Sequence, residues 1–154
     1  MDTKLDATDI QILKALQKDG RMTTRELAAE AGLSTTPVFE RQRRLEKEGY
    51  IRGYTAILDA NKLERGFTVF CLVKLRQMSR DAANDFVAHI QDIPEVSECY
   101  NITGEFDYLL KINAPDMHYY NEFIINVIGT IDSVGSVQSS FVMNEIKHTY
   151  SLPL

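Results

Sequence analysis

The chain has 154 residues, 44% of them hydrophobic and 25% charged, with a net charge of −5. That length and apolar content suit one domain or two small ones with a real core, and no stretch approaches the roughly 18 apolar residues of a membrane span. The polar, acidic start "MDTKLDATD" does not read as a signal peptide, so the expected location is the cytoplasm.

The charge is uneven. Residues 1–60 hold ten Lys/Arg and ten Asp/Glu, whereas residues 61–154 hold seven and twelve, so the whole excess of negative charge lies in the second part. If either part binds a polyanion, it should be the first, because the field near a contact face matters more than the net charge.

In "LDATDIQILKALQKDG", Asp6 is a good N-cap, with acidic Asp9 three residues on. Ile10, Leu13 and Leu16 read as an apolar stripe with Ile12 beside it, and Gly20 as the end of the helix. In "TTRELAAEAG", Thr23 and Glu26 form a capping box and Leu27, Ala28 and Ala31 an inward face. Gly32 then supplies a sharp turn, Leu33 is placed to plug the angle between helices, and Ser34 caps a third helix. Pro37 falls in the first turn of that helix, where no intrahelical N–H is lost, and Gly49 ends it.

Helix, helix, glycine turn and helix make a helix-turn-helix pattern, although a generic αα-hairpin has similar periodicity. Val38 and Leu45 should face inward on the third helix, with Thr35, Thr36, Glu40, Arg43 and Arg44 outward. Hydroxyls and arginines there suit phosphates and base edges. The plainer alternative is a solvated face on which Arg43, Arg44 and Lys47 pair with Glu40, Glu46 and Glu48. "GYIRGYTAILD" reads as two short strands about Gly53 or one bent strand, and "ANKLERG" as a connector, which puts the domain boundary near residue 60.

The rhythm then changes. "FTVFCLVKLR" is a strand with Phe67, Val69, Cys71, Val73 and Leu75 on one face and Phe70 and Leu72 on the other. "SRDAANDFVAHIQD" is a helix with Ala83, Phe86, Val87 and Ile90 inward. "VSECYNITGEFDYLLKIN" is two strands about Gly104, "DMHYYNEFIINVIG" a helix with Met117, Tyr120, Ile124, Val127 and Ile128 inward, and "VGSVQSSFVMNEIK" a last strand. The order β-α-β-β-α-β is the split βαβ, or ferredoxin-like, arrangement. Its helices cover one sheet face only, yet Phe70, Leu72, Leu109 and Val142 suggest apolar residues on both faces. An uncovered apolar face needs a partner, and the simplest is a second copy of the chain.

The segments "LDATDIQILKALQKDGR", "ELAAEAGLSTTPVFERQRRLEKEGYIRGYTAIL", "PEVSECYNITGEFDYLLKI" and "FVMNEIK" together resemble the Lrp/AsnC (feast/famine) family of transcriptional regulators over nearly the whole chain. The resemblance implies an α+β protein in two parts. Residues 1–60 would be a winged helix-turn-helix domain that binds double-stranded DNA, and 61–154 a ferredoxin-like βαββαβ domain that oligomerises and binds an effector. It also implies a homodimer that often assembles further into an octamer. Ser34, Thr35, Thr36, Phe39, Glu40, Arg43 and Arg44 would then meet DNA. Phe39 is large for an outward position and suits either a thymine methyl or packing on the wing. One departure is Gln42, where the family usually has an apolar residue; a buried amide must find a partner or lie at the edge of the core.

The resemblance further implies an amino-acid effector held between subunits near Thr103, Gly104, Glu105, Phe106 and Asp107. Gly104 lets backbone approach a ligand, turn N–H groups suit a carboxylate, and Asp107 suits an α-ammonium. Ser139 and Ser140 would add hydrogen bonds from the same or a neighbouring chain. The plain alternative is a hairpin in which Asp107 bonds its own backbone.

Other functions have less to stand on. Cys71 and Cys99 read as reduced, buried thiols, and His89, His118 and His148 show no metal-ligand spacing. The sequence has no P-loop and no nucleophile–base arrangement, so neither an enzyme nor a cofactor is expected. A sensor or oligomerisation module that does not bind DNA is the remaining alternative, and a salt titration separates it from a DNA binder.

Overall fold

The computed structural model describes residues 4–154; the first three residues of the polar start lie outside the described residues. The chain divides into two compact units. One runs to Ile57 and takes in Lys147–Leu154, and the other spans Leu58–Ile146.

The first unit holds α1 (Ala7–Lys18), α2 (Thr24–Ala31) and α3 (Thr35–Lys47). Capping boxes start both α1 and α2: Asp6 with Asp9, and Thr23 with Glu26. Each box satisfies N–H groups that a helix start would otherwise leave open. Gly32 follows α2 at φ 65°, a left-handed turn in which its N–H bonds to Ala28 and Ala29 carbonyls. The core of the unit is Ile12, Ala15, Leu16, Leu27, Ala28, Val38 and Leu45.

Several expectations for this unit need correction. Ile10 and Leu13 are only half-buried, because the buried stripe of α1 is Asp9, Ile12, Ala15 and Leu16, and the helix ends at Asp19. Leu33 is 40% exposed and is not part of the core of the unit. Ser34 occupies the N-cap of α3, but its hydroxyl makes no capping hydrogen bond. No strand forms in "GYIRGYTAILD"; among the described residues every strand lies between Phe67 and Phe141. A strand needs a neighbour for its N–H and C=O groups, and the first unit contains none.

The second unit runs β1 (Phe67–Leu75), α4 (Arg80–Gln91), β2 (Val96–Asn101), β3 (Tyr108–Ala114), α5 (Met117–Asn126), a short 3-10 turn (Ile128–Thr130) and β4 (Val134–Phe141). The antiparallel sheet has the order β2-β3-β1-β4, which is the ferredoxin-like topology. Val69, Cys71, Val73, Leu75, Tyr108, Leu110 and Ile112 point from β1 and β3 into a core shared with Phe86, Ile90, Tyr120 and Phe123 of the helices. Phe123 takes the inward place expected of Met117, which is 48% exposed; Val87 is exposed too. Cys99 is exposed, unlike Cys71, because β2 is an edge strand.

The last strand stops at Phe141. Where β1 meets it, the register passes from Lys74↔Ser136 to Leu75↔Val134, so Gly135 is the bulged residue. A Cβ there would lie 3.0 Å from the Arg76 backbone nitrogen, a tight contact with backbone that favours a glycine at the bulge. The sheet face away from the helices carries half-buried Phe70, Leu72 and Leu109, and exposed Tyr100 beside the Glu98–Lys111 ion pair.

Candidate nucleic-acid interface and effector turn

Three arginines on α3 have two different fates. Arg41 donates through Nη1 to Asp6 Oδ2 at 2.6 Å and Asp9 Oδ1 at 2.8 Å. Arg44 Nη2 lies 2.6 Å from Asp9 Oδ2. That contact is an ion pair without an aligned hydrogen bond, since Arg44 Nε and Nη2 are buried and have no acceptor in hydrogen-bonding geometry. Arg44 therefore does not extend from the outward face as the helical period suggests; its guanidinium turns onto α1.

Asp9 is 1% exposed, and each of its oxygens is occupied. Burial pushes its carboxyl up, but the backbone hydrogen bond with Asp6 and the two guanidiniums outweigh this and hold it below the ordinary value. The hydrogen bond from the Asp9 backbone, followed by Arg41, also lowers Asp6.

Arg43 is the arginine left outward. Among the described residues no carboxylate pairs with it; its guanidinium sits over the Phe39 ring, 5.4 Å from the centroid. Phe39 is itself 47% exposed. Ser34, Thr35, Thr36 and Glu40 are also exposed, around the start of α3. These residues form one polar face with a single aromatic and a single unpaired guanidinium.

The unusual Gln42 does find partners. Its Nε2 donates to Glu46 Oε1 at 3.2 Å and to the Tyr54 hydroxyl at 3.0 Å, and Tyr54 donates to Glu46 Oε1 at 2.9 Å. This triangle ties the extended segment after α3 back to the helix. Tyr54 also packs its ring against the Gly20 backbone, where a Cβ would meet it at 3.4 Å.

The Thr103–Asp107 turn, where an effector is expected, is a tight hairpin end. Ile102 N–H donates to the Asp107 carbonyl at 2.9 Å, as does Asn101 Nδ2. Thr103, Gly104 and Glu105 are exposed, Phe106 is half-buried, and Gly104 has φ 125°. Asp107 does not bond its own backbone. Its Oδ2 accepts from Leu75 N–H at 2.7 Å, across on β1, and its N–H donates to the Val73 carbonyl. The carboxylate thus completes the sheet where the pairing of β1 with β3 ends.

Ser139 and Ser140 diverge. Ser139 pairs with Cys71 on the helix side, and its hydroxyl lies 2.6 Å from that of buried Tyr120. Ser140 pairs with Phe70 on the open side. Neighbouring strand residues point to opposite faces, so one pocket cannot take both side chains from one chain. β1 also stands between β4 and the turn.

The residues that sequence reasoning missed are the partners: Asp6, Asp9 and Arg41 around α3, Tyr54 and Glu46 around Gln42, and Leu75 for Asp107. Their only signal was spacing, Asp6/Asp9 and Arg41/Arg44 each three apart.

Comparison with known proteins agrees with this architecture. Residues 5–52 match the winged helix-turn-helix DNA-binding family and 68–152 the Lrp/AsnC ligand binding domain. The chain is 40% identical over 148 residues to a leucine-responsive regulatory protein of Salmonella typhimurium, covering 96% of this chain and 90% of the relative. It superimposes with a TM-score of 0.94 on a Neisseria meningitidis transcriptional regulator solved as an L-Met complex, at 41% identity and 97% coverage of both chains. An AsnC family regulator of Agrobacterium tumefaciens gives a TM-score of 0.91 at 36% identity, with 97% of both chains covered.

Proposed function

The chain belongs to the Lrp/AsnC family of transcriptional regulators, not of enzymes, and from that premise we propose that it reads DNA through the outward face of α3. Ser34, Thr35, Thr36, Phe39, Glu40 and Arg43 are the residues assigned to this contact. The observation that carries the assignment is Arg43: it is exposed, unpaired with any carboxylate among the described residues, and braced on Phe39. An arginine so held suits a guanine edge or a phosphate. The hydroxyls at the start of α3 suit phosphates beside the positive end of the helix.

The second unit senses an amino acid in this reading. The turn Thr103–Asp107, with exposed Gly104, presents backbone N–H groups for a carboxylate, and Asp107 retains one carboxylate oxygen for an ammonium. Ser139 and Ser140 cannot both serve one site within a chain, so a second subunit completes it. The L-Met complex of the Neisseria meningitidis regulator supports an amino-acid ligand of this class. The half-buried Phe70, Leu72 and Leu109 favour a homodimer joined through the open sheet face, and higher assembly to an octamer fits the family. No helix among the described residues is long and apolar enough to cross a membrane. A regulator of this kind works in the cytoplasm.

The test is selection of genomic fragments by the purified protein, with and without a panel of amino acids, followed by a salt titration. A DNA reader enriches a pseudo-palindromic site and loses affinity steeply with salt. Absence of enrichment together with a flat salt response would make the chain a sensor or assembly module instead.

A further inference from the structure

We propose that Asp9, Arg41 and Arg44 are positioning residues for DNA recognition: a clamp between α1 and α3 that sets how α3 presents its outward face, without either arginine touching DNA. The proposal rests on the reading of α3 as the DNA-reading helix.

The clamp has two fixed points on each helix. Asp6 and Asp9 stand three apart at the start of α1, and Arg41 and Arg44 three apart on α3. Residues at that spacing share one helix face. Arg41 Nη1 bridges both carboxylates, and Arg44 reaches only Asp9.

Ile12, Val38 and Leu45 already bury the contact beside it. Apolar burial is non-directional, however, and leaves a helix free to roll by part of a side chain. The two charged hydrogen bonds of Arg41 have preferred directions and hold a rotation that burial does not, and the Arg44 ion pair adds a second attachment on the same side. Successive residues on a helix differ by about 100°. Anchoring Arg44 inward therefore sends its neighbour Arg43 outward, over Phe39.

Accessibility supports the division of roles. Arg44 Nε and Nη2 are buried, so although the side chain is 31% exposed, a phosphate cannot reach those two nitrogens unless the side chain leaves Asp9. Leaving would take one of two guanidinium partners from a carboxylate that is 1% exposed. Two of the three arginines on α3 are thus neutralised within the fold, and the charge offered to DNA is smaller than the sequence of α3 suggests.

The experiment uses the full chain and two duplexes of equal length: one selected from a random pool by the wild-type protein, and a scrambled version. Affinity for each is measured across a salt series for wild type, Asp9→Asn, Arg41→Lys, Arg44→Gln and Arg43→Gln, with circular dichroism to confirm folding. A clamp predicts that Asp9→Asn weakens binding to the selected duplex by about tenfold or more, with the scrambled duplex and the salt slope little changed. Charge alone predicts the opposite, because removing a negative group should tighten binding to both. Unchanged or tighter binding in folded Asp9→Asn sinks the proposal. If that variant does not fold, Arg41→Lys decides: it keeps the charge and loses only the fork, so wild-type discrimination would equally refute the clamp. Arg44→Gln lowering the salt slope by about one unit would make Arg44 a phosphate contact and also refute it. Arg43→Gln separates the two readings, since no effect on either duplex would mean α3 does not read DNA at all.

Discussion

Arg43 lies over the ring of Phe39, one helical turn away on α3, with 5.4 Å between guanidinium carbon and ring centroid. The contact holds an otherwise flexible side chain upright on an exposed surface without consuming its hydrogen-bond donors. Arg43→Ala should therefore leave the melting temperature unchanged while weakening DNA binding. Loss of a base contact costs about 1–3 kcal/mol, and loss of a phosphate contact lowers the salt slope by about one unit. Fluorescence anisotropy across a salt series reads both. Phe39→Ala should give a smaller loss in the same direction; an effect of Phe39→Ala without one of Arg43→Ala would assign recognition to the ring alone.

Acid should loosen the first unit through Asp6 and Asp9. Both carboxyls are held below their ordinary value of 3.8, chiefly against burial in the case of Asp9. A lowered folded value means the stabilisation is complete above 3.8 and is lost as pH falls through the folded value. Asp9→Asn has no such titration at that position. The melting difference between wild type and Asp9→Asn should be constant near neutrality and shrink in acid; a difference independent of pH down to 2 or so would show that the pairing contributes nothing.

Asp107 has a structural task that can be separated from a sensory one. Its Oδ2 accepts from Leu75 N–H at 2.7 Å. Asp107→Ala leaves that half-buried donor open and should cost about 1–3 kcal/mol in urea denaturation. Asp107→Asn keeps an acceptor oxygen and loses the charge. It should stay near wild-type stability and bind amino acids more weakly by calorimetry with a panel that includes L-Met. Equal affinity in the two proteins would leave Asp107 as a sheet residue only.

Residues 61–154 expressed alone should fold, remain acidic and assemble, but not bind DNA. The core around Phe86 and Leu110 lies wholly within the second unit, and Phe70, Leu72 and Leu109 favour a partner. In this fragment Lys147–Leu154 loses its anchor, since Gln17 of α1 holds the Leu152 backbone through both its carbonyl and its amide. Light scattering reads the assembly state, and a monomer at micromolar concentration would count against the open-face interface.

Local pattern determined most of the secondary structure. The capping boxes at Asp6 and Thr23, the left-handed Gly32 and the alternation Val69, Cys71, Val73, Leu75 each depend on residues a few positions apart. A period of 3.6 or 2 is therefore enough to locate the element and its inward face. The β-α-β-β-α-β order, and through it the sheet topology, followed from the same information. The outward hydroxyls of α3 were legible for the same reason, whereas Gln42 stood out only against the family resemblance, as an amide that must find a partner or lie at the edge of the core.

The identity of the partners was decided only by tertiary structure. Along the chain only the three-residue spacing from Arg41 sets Arg44 apart from Arg43, two adjacent guanidiniums on one helix; a carboxylate 35 positions before Arg44 takes one and leaves the other. Tyr54 looked like part of a strand until the first unit proved to hold no strand to pair with, and its hydroxyl went to Gln42 and Glu46 instead. Asp107 looked like a turn residue and serves a strand 32 positions earlier. Ser139 and Ser140 looked like one site and lie on two faces, because only the pairing of β4 with β1 says which face is covered. A polar side chain is committed by whichever complementary group the fold brings within about 3 Å, and that distance is set by packing between elements rather than by spacing along the chain.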